Sequence, residues 1–236
     1  IRKEGLRAKD GHTAEERLQS YVIGRMEKML AKHGKKIIGW FGEYWTKESI
    51  SKLPKDKYKI LNDVFIEVNG RTHQIDHVVV SPYGIFSIET KQYNGYITGN
   101  KYDKKWIRYA GNKKYYYENP IRQNYGHIKA IESYLPYKKD ICHSLIVFSN
   151  RCELKRLEVK TPIIKMRDLK SYLIYCKSDV FLTKEDINYY SMILEKNNIT
   201  DKNIRKNHVI NIRNNKFQYP FRVFIKKYFK NHRRMV

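Results

Sequence analysis

Short runs of apolar residues, each bounded by turn-forming residues, occupy the middle of the chain and predict β-strands. Residues 58–68, 74–80 and 85–91 predict a three-stranded meander, and Asn69-Gly70 is typical of a tight hairpin turn between the first two strands. Further strands are predicted at 97–99, at 106–109 beside a loop rich in Lys and Tyr, at 144–149, and at 163–164 as a short edge piece.

Segments with helical spacing of apolar residues flank these strands. Residues 13–32 predict an amphipathic helix that begins with the capping-box pair Thr13 and Glu16. Residues 40–53 predict a second helix, which Pro54 ends.

A third helix is predicted to begin after the meander, with Asn119 as its N-cap and Pro120 at its first position. Two more helices are predicted at 166–176 and, after Thr183, at 184–197. The third helix has a stripe of apolar residues that should be buried, namely Ile121, Tyr125, Ile128, Ile131 and Leu135.

A meander, a crossover helix and a further strand together indicate an α/β fold with a mixed central β-sheet flanked by helices. We divide the chain into an N-terminal helical segment (1–37), a core (38–150), a helical completion of that core (151–200) and a C-terminal extension (201–236). The extension interleaves Lys and Arg with Phe and Tyr and has a single acid, Asp201.

The charge balance points to a polyanionic partner. The chain has 236 residues, of which 48 are Lys or Arg and 24 are Asp or Glu, so its formal net charge is +24. Nucleic acid is the first candidate partner, and a generic basic surface or attraction to anionic lipid headgroups are the alternatives.

Cysteine usage and hydropathy favour a cytoplasmic protein. Three cysteines, Cys142, Cys152 and Cys176, have neither the even count of a disulfide framework nor the spacing of a zinc site. No apolar run approaches the ~20 residues of a membrane span. Because the chain begins with Ile1, a preceding segment that anchors the protein at the inner face of the membrane stays an open alternative.

Two acids and a lysine lie where the predicted meander brings strand ends together. Glu89 and Lys91 are two residues apart on one strand, so they project to the same side, and the short turn at 81–84 brings Asp76 of the preceding strand beside them. Two converging carboxylates can hold Mg²⁺ against a phosphate, and a lysine can position or activate the attacking water. The alternative for Asp76 is a structural salt bridge to Lys91.

Several ordered motifs then resemble the nuclease-related domain (NERD) family, which belongs to the PD-(D/E)xK nuclease superfamily. The resemblance spans about residues 38–148 and rests on GEYWTKESISKL, ILNDVFIEV, QIDHVVVSPYGIFSIETKQYNGYITG, Trp106 and NPIRQ. It implies a restriction-endonuclease-like core and Mg²⁺- or Mn²⁺-dependent cleavage of DNA. Asp76, Glu89 and Lys91 match the catalytic D…ExK pattern, with Asp76 and Glu89 as metal ligands.

The same resemblance implies that Glu43, in the Gly-Glu motif, and Gln123, in the Asn-Pro-x-x-Gln motif, complete the cleft. From the residues alone, Glu43 has an alternative role as an acid that satisfies the dipole at a helix start, and Gln123 has one as a solvent-facing residue. His77 faces away from Asp76 in a regular strand and is interpreted as structural.

The basic and aromatic stretch around the predicted strand at 106–109 is typical of a groove for polyanions, because Lys and Arg neutralise phosphates while aromatic rings stack on bases. The alternative is that its tyrosines pack on the core. Besides DNA, a helicase or another defence or repair protein is an open candidate partner, and the rival function is an inactive nucleic-acid-binding module. The expected contacts to nucleic acid are Lys104, Lys105, Arg108, Lys113, Lys114 and Arg122.

Overall fold

The structure, a computed structural model, describes residues 38–136, 140–205 and 207. Its main sheet has five strands in the order β1-β2-β3-β7-β9. These strands are β1 (Lys59–Val68), β2 (Arg71–Ser81), β3 (Gly84–Lys91), β7 (Cys142–Phe148) and β9 (Ile163–Lys165). The predicted meander is confirmed, because β1, β2 and β3 are sequential antiparallel neighbours.

The turns and crossovers follow from local chemistry. Asn69 and Gly70 both have positive φ, at 50° and 73°, which is the conformation that a type I′ hairpin turn requires. Strand β3 then pairs in parallel with β7, so the chain between them must cross over the sheet. The predicted edge piece is also confirmed, because β9 pairs in parallel with β7 at the border of the sheet.

A second, four-stranded sheet has three strands within that crossover and one strand after β7, in the order β6-β5-β4-β8. Its strands are β4 (Gly95–Asn100), β5 (Lys105–Ala110), β6 (Lys113–Glu118) and β8 (Cys152–Glu158). The Lys- and Tyr-rich segment after β5 was expected as a loop, and this was wrong. It forms β6, because Trp106, Arg108 and Ala110 of β5 pair directly with Tyr117, Tyr115 and Lys113.

Strand β8 is a second correction, since residues 151–200 were expected as helical. The sequence CELKRLE lacks the apolar run that predicts a strand, because β8 lies at an edge of the small sheet, where charged side chains reach solvent. The helices predicted after it are present, as a 3₁₀ turn (Met166–Asp168), α3 (Leu169–Ile174) and α4 (Lys184–Lys196). Thr183 forms the capping box of α4 with Asp186.

Two further helices cover opposite faces of the main sheet. Helix α1 (Ile38–Ile50) packs with α3 on one face, over a core that includes Phe86, Ile88 and Val147. Helix α2 (Pro120–Glu132) packs with α4 on the other face, over a core that includes Val78, Val80 and Ile85. Alternating residues of β3 therefore point towards α1 and towards α2.

The predicted buried stripe of α2 needs one correction. Ile121, Ile128 and Ile131 are buried as expected, but Tyr125 is 61% exposed. Asn124 and His127 occupy the buried face instead, since polar partners on the sheet offset the cost of burying them. This substitution of polar for apolar contacts marks the region around the strand β3 as chemically unusual.

Some expectations fall beyond these elements. The helix predicted at 13–32 lies outside the described residues, and so does the part of the C-terminal extension that follows residue 207. Within the ranges that are described, no helix is both long and apolar enough to cross a bilayer, and all three cysteines are free thiols.

Asn119 should be a strong point of stability because it joins the segment between β4 and β5 of the small sheet to α2. Its Oδ1 accepts the Ile121 N–H at 2.9 Å, while its buried Nδ2 donates to the carbonyls of Asn100, Lys101 and Asp103. We expect Asn119→Ala to lower the free energy of unfolding by about 3 kcal/mol, because a helix cap and buried partners are lost together. Urea denaturation measures this value.

The matched control is Thr183→Ala in α4, which removes a more exposed cap and should cost about 1 kcal/mol. Equal costs for the two substitutions would contradict the assigned role of Asn119.

Candidate active site

Glu89 and Lys91 project from β3 towards α2, as the two-residue period predicts. The Glu89 carboxylate is only 2% exposed, and Lys91 Nζ donates a hydrogen bond to its Oε1. Lys91 Nζ also donates to Gln123 Oε1 at 3.0 Å. An ammonium has three N–H donors, so these contacts leave one N–H of Lys91 for a ligand. The structure thus brings three of the predicted site residues into direct contact.

Besides Gln123, helix α2 supplies a second residue to the site, His127, which was not predicted from the sequence. His127 Nδ1 lies 3.5 Å from Glu89 Oε2, and neither atom makes a hydrogen bond to a described residue. His127 follows Gln123 by four residues, so both side chains lie on one helix face. This four-residue spacing is the feature of the sequence that could have identified His127. Burial lowers the pKa of His127 although the Glu89 charge opposes this shift, so the imidazole is uncharged at neutral pH.

Asp76 reaches the same region from β2. The ladder between β2 and β3 ends at the pair His77 and Ile88, and Asp76 is the next residue beyond it. Its Oδ2 accepts the Thr90 N–H at 2.9 Å. The alternative salt bridge to Lys91 is not formed, because the Lys91 ammonium binds Glu89 instead. Burial, then the charges of Glu89 and Glu43, raise the pKa of Asp76 well above its ordinary value.

Glu43 lies in the second turn of α1, whose first turn has no acid. The expectation that Glu43 begins a helix and satisfies its dipole was therefore wrong. The side chain is half-buried, and burial followed by the charges of Asp63 and Glu89 raises its pKa, while Lys91 acts in the opposite direction. Glu43 consequently shares the electrostatic environment of the β3 carboxylate.

Burial, joined by the charge of Glu89, raises the pKa of both Asp76 and Glu43, and the charge of Lys91 opposes this shift. Carboxylate oxygen donors suit a hard divalent cation. Among the described residues, however, no three His, Cys, Asp or Glu side chains converge closely enough to form a metal-holding group. Proteins usually bind Mg²⁺ at phosphate-processing sites through one or two carboxylates and water, and Asp76 and Glu89 are the candidate carboxylates here.

The neighbouring polar residues are structural. His77 Nδ1 and Asn62 Oδ1 are 2.7 Å apart, and burial lowers the pKa of His77 to about 4. Gln74 Nε2 donates a cross-strand hydrogen bond to Asp63 Oδ1 at 2.9 Å on the adjacent strand. Thr90, on the α1 face of β3, lies 3.1 Å from Thr46, so it joins α1 to the strand that bears the site.

The predicted nucleic-acid contacts divide into two groups. Arg108 is half-buried between aromatic rings. The other five side chains are exposed on β5, on β6, on the loop before them and on the first turn of α2, namely Lys104, Lys105, Lys113, Lys114 and Arg122. Their binding role stays a prediction.

The contact between Lys91 and Glu89 should also be measurable as stability. We expect Lys91→Met to lower the free energy of unfolding by about 3 kcal/mol, because it leaves a buried carboxylate uncompensated. Adding Glu89→Gln should restore most of that loss, and urea denaturation in EDTA of the two single variants and the double variant measures the coupling. Additive effects of the two substitutions would show that the ion pair does not contribute.

Comparison with known proteins identifies the family of the chain. The family model of the nuclease-related domain matches residues 38–149, which contain Glu43, Asp76, Glu89, Lys91 and Gln123. An uncharacterised protein of Bacillus anthracis is 35% identical over 192 residues, which cover 80% of this chain and 90% of the relative. No solved structure matches the chain. The chain, with its α/β core and its polar cluster at the end of β3, belongs to the nuclease-related domain family.

Proposed function

We propose that this protein is a metal-dependent nuclease that hydrolyses phosphodiester bonds of DNA as an endonuclease or nickase. The observation that carries the proposal is the convergence of Asp76, Glu89 and Lys91 where β2 and β3 separate, with Gln123 of α2 in contact with the lysine. Buried ionisable groups are costly, and a cluster of them near a strand end is typical of a catalytic site. Family membership supports the same class of reaction.

Asp76 and Glu89 are the residues that would hold Mg²⁺ or Mn²⁺. Glu89 Oε2 is buried without a hydrogen-bond donor, and Asp76 Oδ2 has the backbone N–H of Thr90 as its partner. When bound, the ion would supply Lewis-acid stabilisation of charge on the phosphate and on the attacking water. Glu43 would adjust the charge of the cleft from α1.

Lys91 would act on the phosphate or on the attacking water through its remaining N–H. Its ammonium is held from two sides, by Glu89 on its own strand and by Gln123 on α2. Gln123 is therefore proposed to position Lys91, and His127 to position Glu89 from the next turn of the same helix. An ammonium held in this way can stabilise developing negative charge without reorganising during the reaction.

A second candidate, a nucleic-acid-binding module without cleavage, is favoured by the net charge of +24. Basic charge is sufficient for binding, and its affinity should fall steeply with salt. The two candidates differ in one outcome, since the module binds plasmid DNA but leaves its topology unchanged.

The direct test is cleavage of supercoiled plasmid with Mg²⁺, Mn²⁺ or EDTA. We expect metal-dependent nicking or linearisation by the wild type, and a loss of at least about 100-fold for Glu89→Ala and for Asp76→Asn. Glu48→Ala is the matched control on α1, because Glu48 is exposed and pairs with Lys52, and it should keep full activity. Comparable nicking by wild type and Asp76→Asn would refute the proposal, and binding without nicking would favour the module.

Gln123 provides a graded prediction. Gln123→Ala should lower the nicking rate about 10- to 100-fold while leaving the affinity for DNA unchanged, because Lys91 loses its positioning contact but keeps Glu89. Gln123→Glu should retain the acceptor oxygen and recover part of the rate. A rate for Gln123→Ala equal to that of the wild type would place Gln123 outside the mechanism.

A further inference from the structure

The loop that follows Lys91 is fixed to the end of the main sheet. The Lys91 carbonyl accepts hydrogen bonds from the N–H groups of Tyr93 and Ser149, each at 3.1 Å. The Ser149 hydroxyl in turn donates to the Tyr93 carbonyl. Tyr93 packs edge-on against Tyr117 at 4.8 Å between ring centroids. The Tyr93 ring therefore has a defined position next to the candidate catalytic lysine.

Arg108 of β5 lies over this ring and is held on several sides. Its guanidinium carbon is 5.2 Å from the Tyr93 ring centroid and 4.5 Å from that of Tyr115, and its Nη1 donates to Asn94 Oδ1 at 3.2 Å. Stacking on aromatic rings suits the planar guanidinium, and it leaves the other N–H groups free to bind an anion. We call Tyr93, Arg108 and Tyr115 the arginine–tyrosine cluster.

Charge pairing distinguishes Arg108 from two lysines on the opposite face of the small sheet. On that opposite face, Lys155 binds Glu153 at 2.7 Å, and Lys105 stands opposite Glu118 in the ladder. Among the described residues, no carboxylate lies within salt-bridge distance of Arg108, whose polar partner is the neutral side chain of Asn94. Arg108 is thus a positioned cation with unused donors.

Tyr115 provides the apolar part of the same cluster. The residue is 42% exposed although Arg108 lies over its ring, so part of the ring remains open to solvent. A nucleobase can stack on such a ring only when its own face is uncovered. The faces of bases within a continuous duplex are covered by their neighbours, whereas the bases of unpaired nucleotides leave a face open for such a ring.

We infer that the arginine–tyrosine cluster binds an unpaired nucleotide beside the scissile phosphate, with Arg108 on its phosphate and Tyr115 on its base. The substrate class is accordingly DNA with a single-stranded segment, such as a flap, a gap or a free single strand. This inference rests on the proposed function, because it takes the phosphate next to Lys91 to be the one that is cleaved. The contacts from Lys91 through Tyr93 to Arg108 connect the cluster to the candidate catalytic lysine.

Binding in EDTA tests the cluster independently of cleavage. Fluorescence anisotropy of the full chain with labelled oligothymidylate and with a blunt hairpin duplex gives both affinities. We expect Tyr115→Ala to weaken binding of the single strand about tenfold and to leave duplex binding unchanged, while Tyr115→Phe stays close to wild type. Arg108→Gln should lower the slope of log affinity against log salt for the single strand by about 0.7.

Tyr116→Ala is the matched control, because Tyr116 is the neighbouring residue on β6, is 63% exposed and points to the opposite face. Equal losses for Tyr115→Ala and Tyr116→Ala, equal losses on duplex and single strand, or no loss would each overturn the inference. Selective binding without metal-dependent cleavage of either the plasmid or a labelled flap substrate would refute the nuclease and retain the nucleotide site. Metal-dependent cleavage without selective binding would support the nuclease and refute the nucleotide site.

Discussion

The ion pair between Lys91 and Glu89 is the interaction on which the candidate site depends. A carboxylate at 2% exposure is tolerated on a central strand only when a cation offsets the cost of removing it from water. The same ammonium reaches Gln123, so the pair also fixes α2 against β3. Asn124, from the same helix, bonds Ser87 and Ser144 of the sheet, which adds a second set of polar contacts between α2 and the main sheet. The candidate catalytic groups Glu89 and Lys91 are therefore held by the same buried polar contacts that join α2 to the main sheet.

Much of the core could be predicted because it follows local rules. The two-residue period of a strand places Glu89 and Lys91 on one side, and the structure has them in contact. Asn69-Gly70 forms the expected hairpin turn, and Asn119 caps α2 as expected. The family was also predicted correctly, since its ordered motifs lie in the segment that the family model matches.

Other features depend on tertiary contacts that a local pattern does not encode. Asp63 has a φ of 52°, and the side chains of β1 change faces there, so that Leu61 and Val64 enter the same core. The strand β2 changes faces between Ile75 and Val78 at the same level, next to Asp76. Neither change is visible in an apolar pattern that assumes regular alternation. His127 was missed for a related reason, because a helical pattern of apolar residues favours Tyr125 over a polar residue whose partner lies on another element.

The most direct test of the account is a crystal structure of the protein grown with Mn²⁺. The account predicts an anomalous difference peak at the carboxylates of Asp76 and Glu89, with Lys91 still in contact with Gln123. An unoccupied cleft at saturating Mn²⁺, or a manganese ion bound away from Glu89, would contradict the claim that this buried carboxylate is the metal ligand of a nuclease.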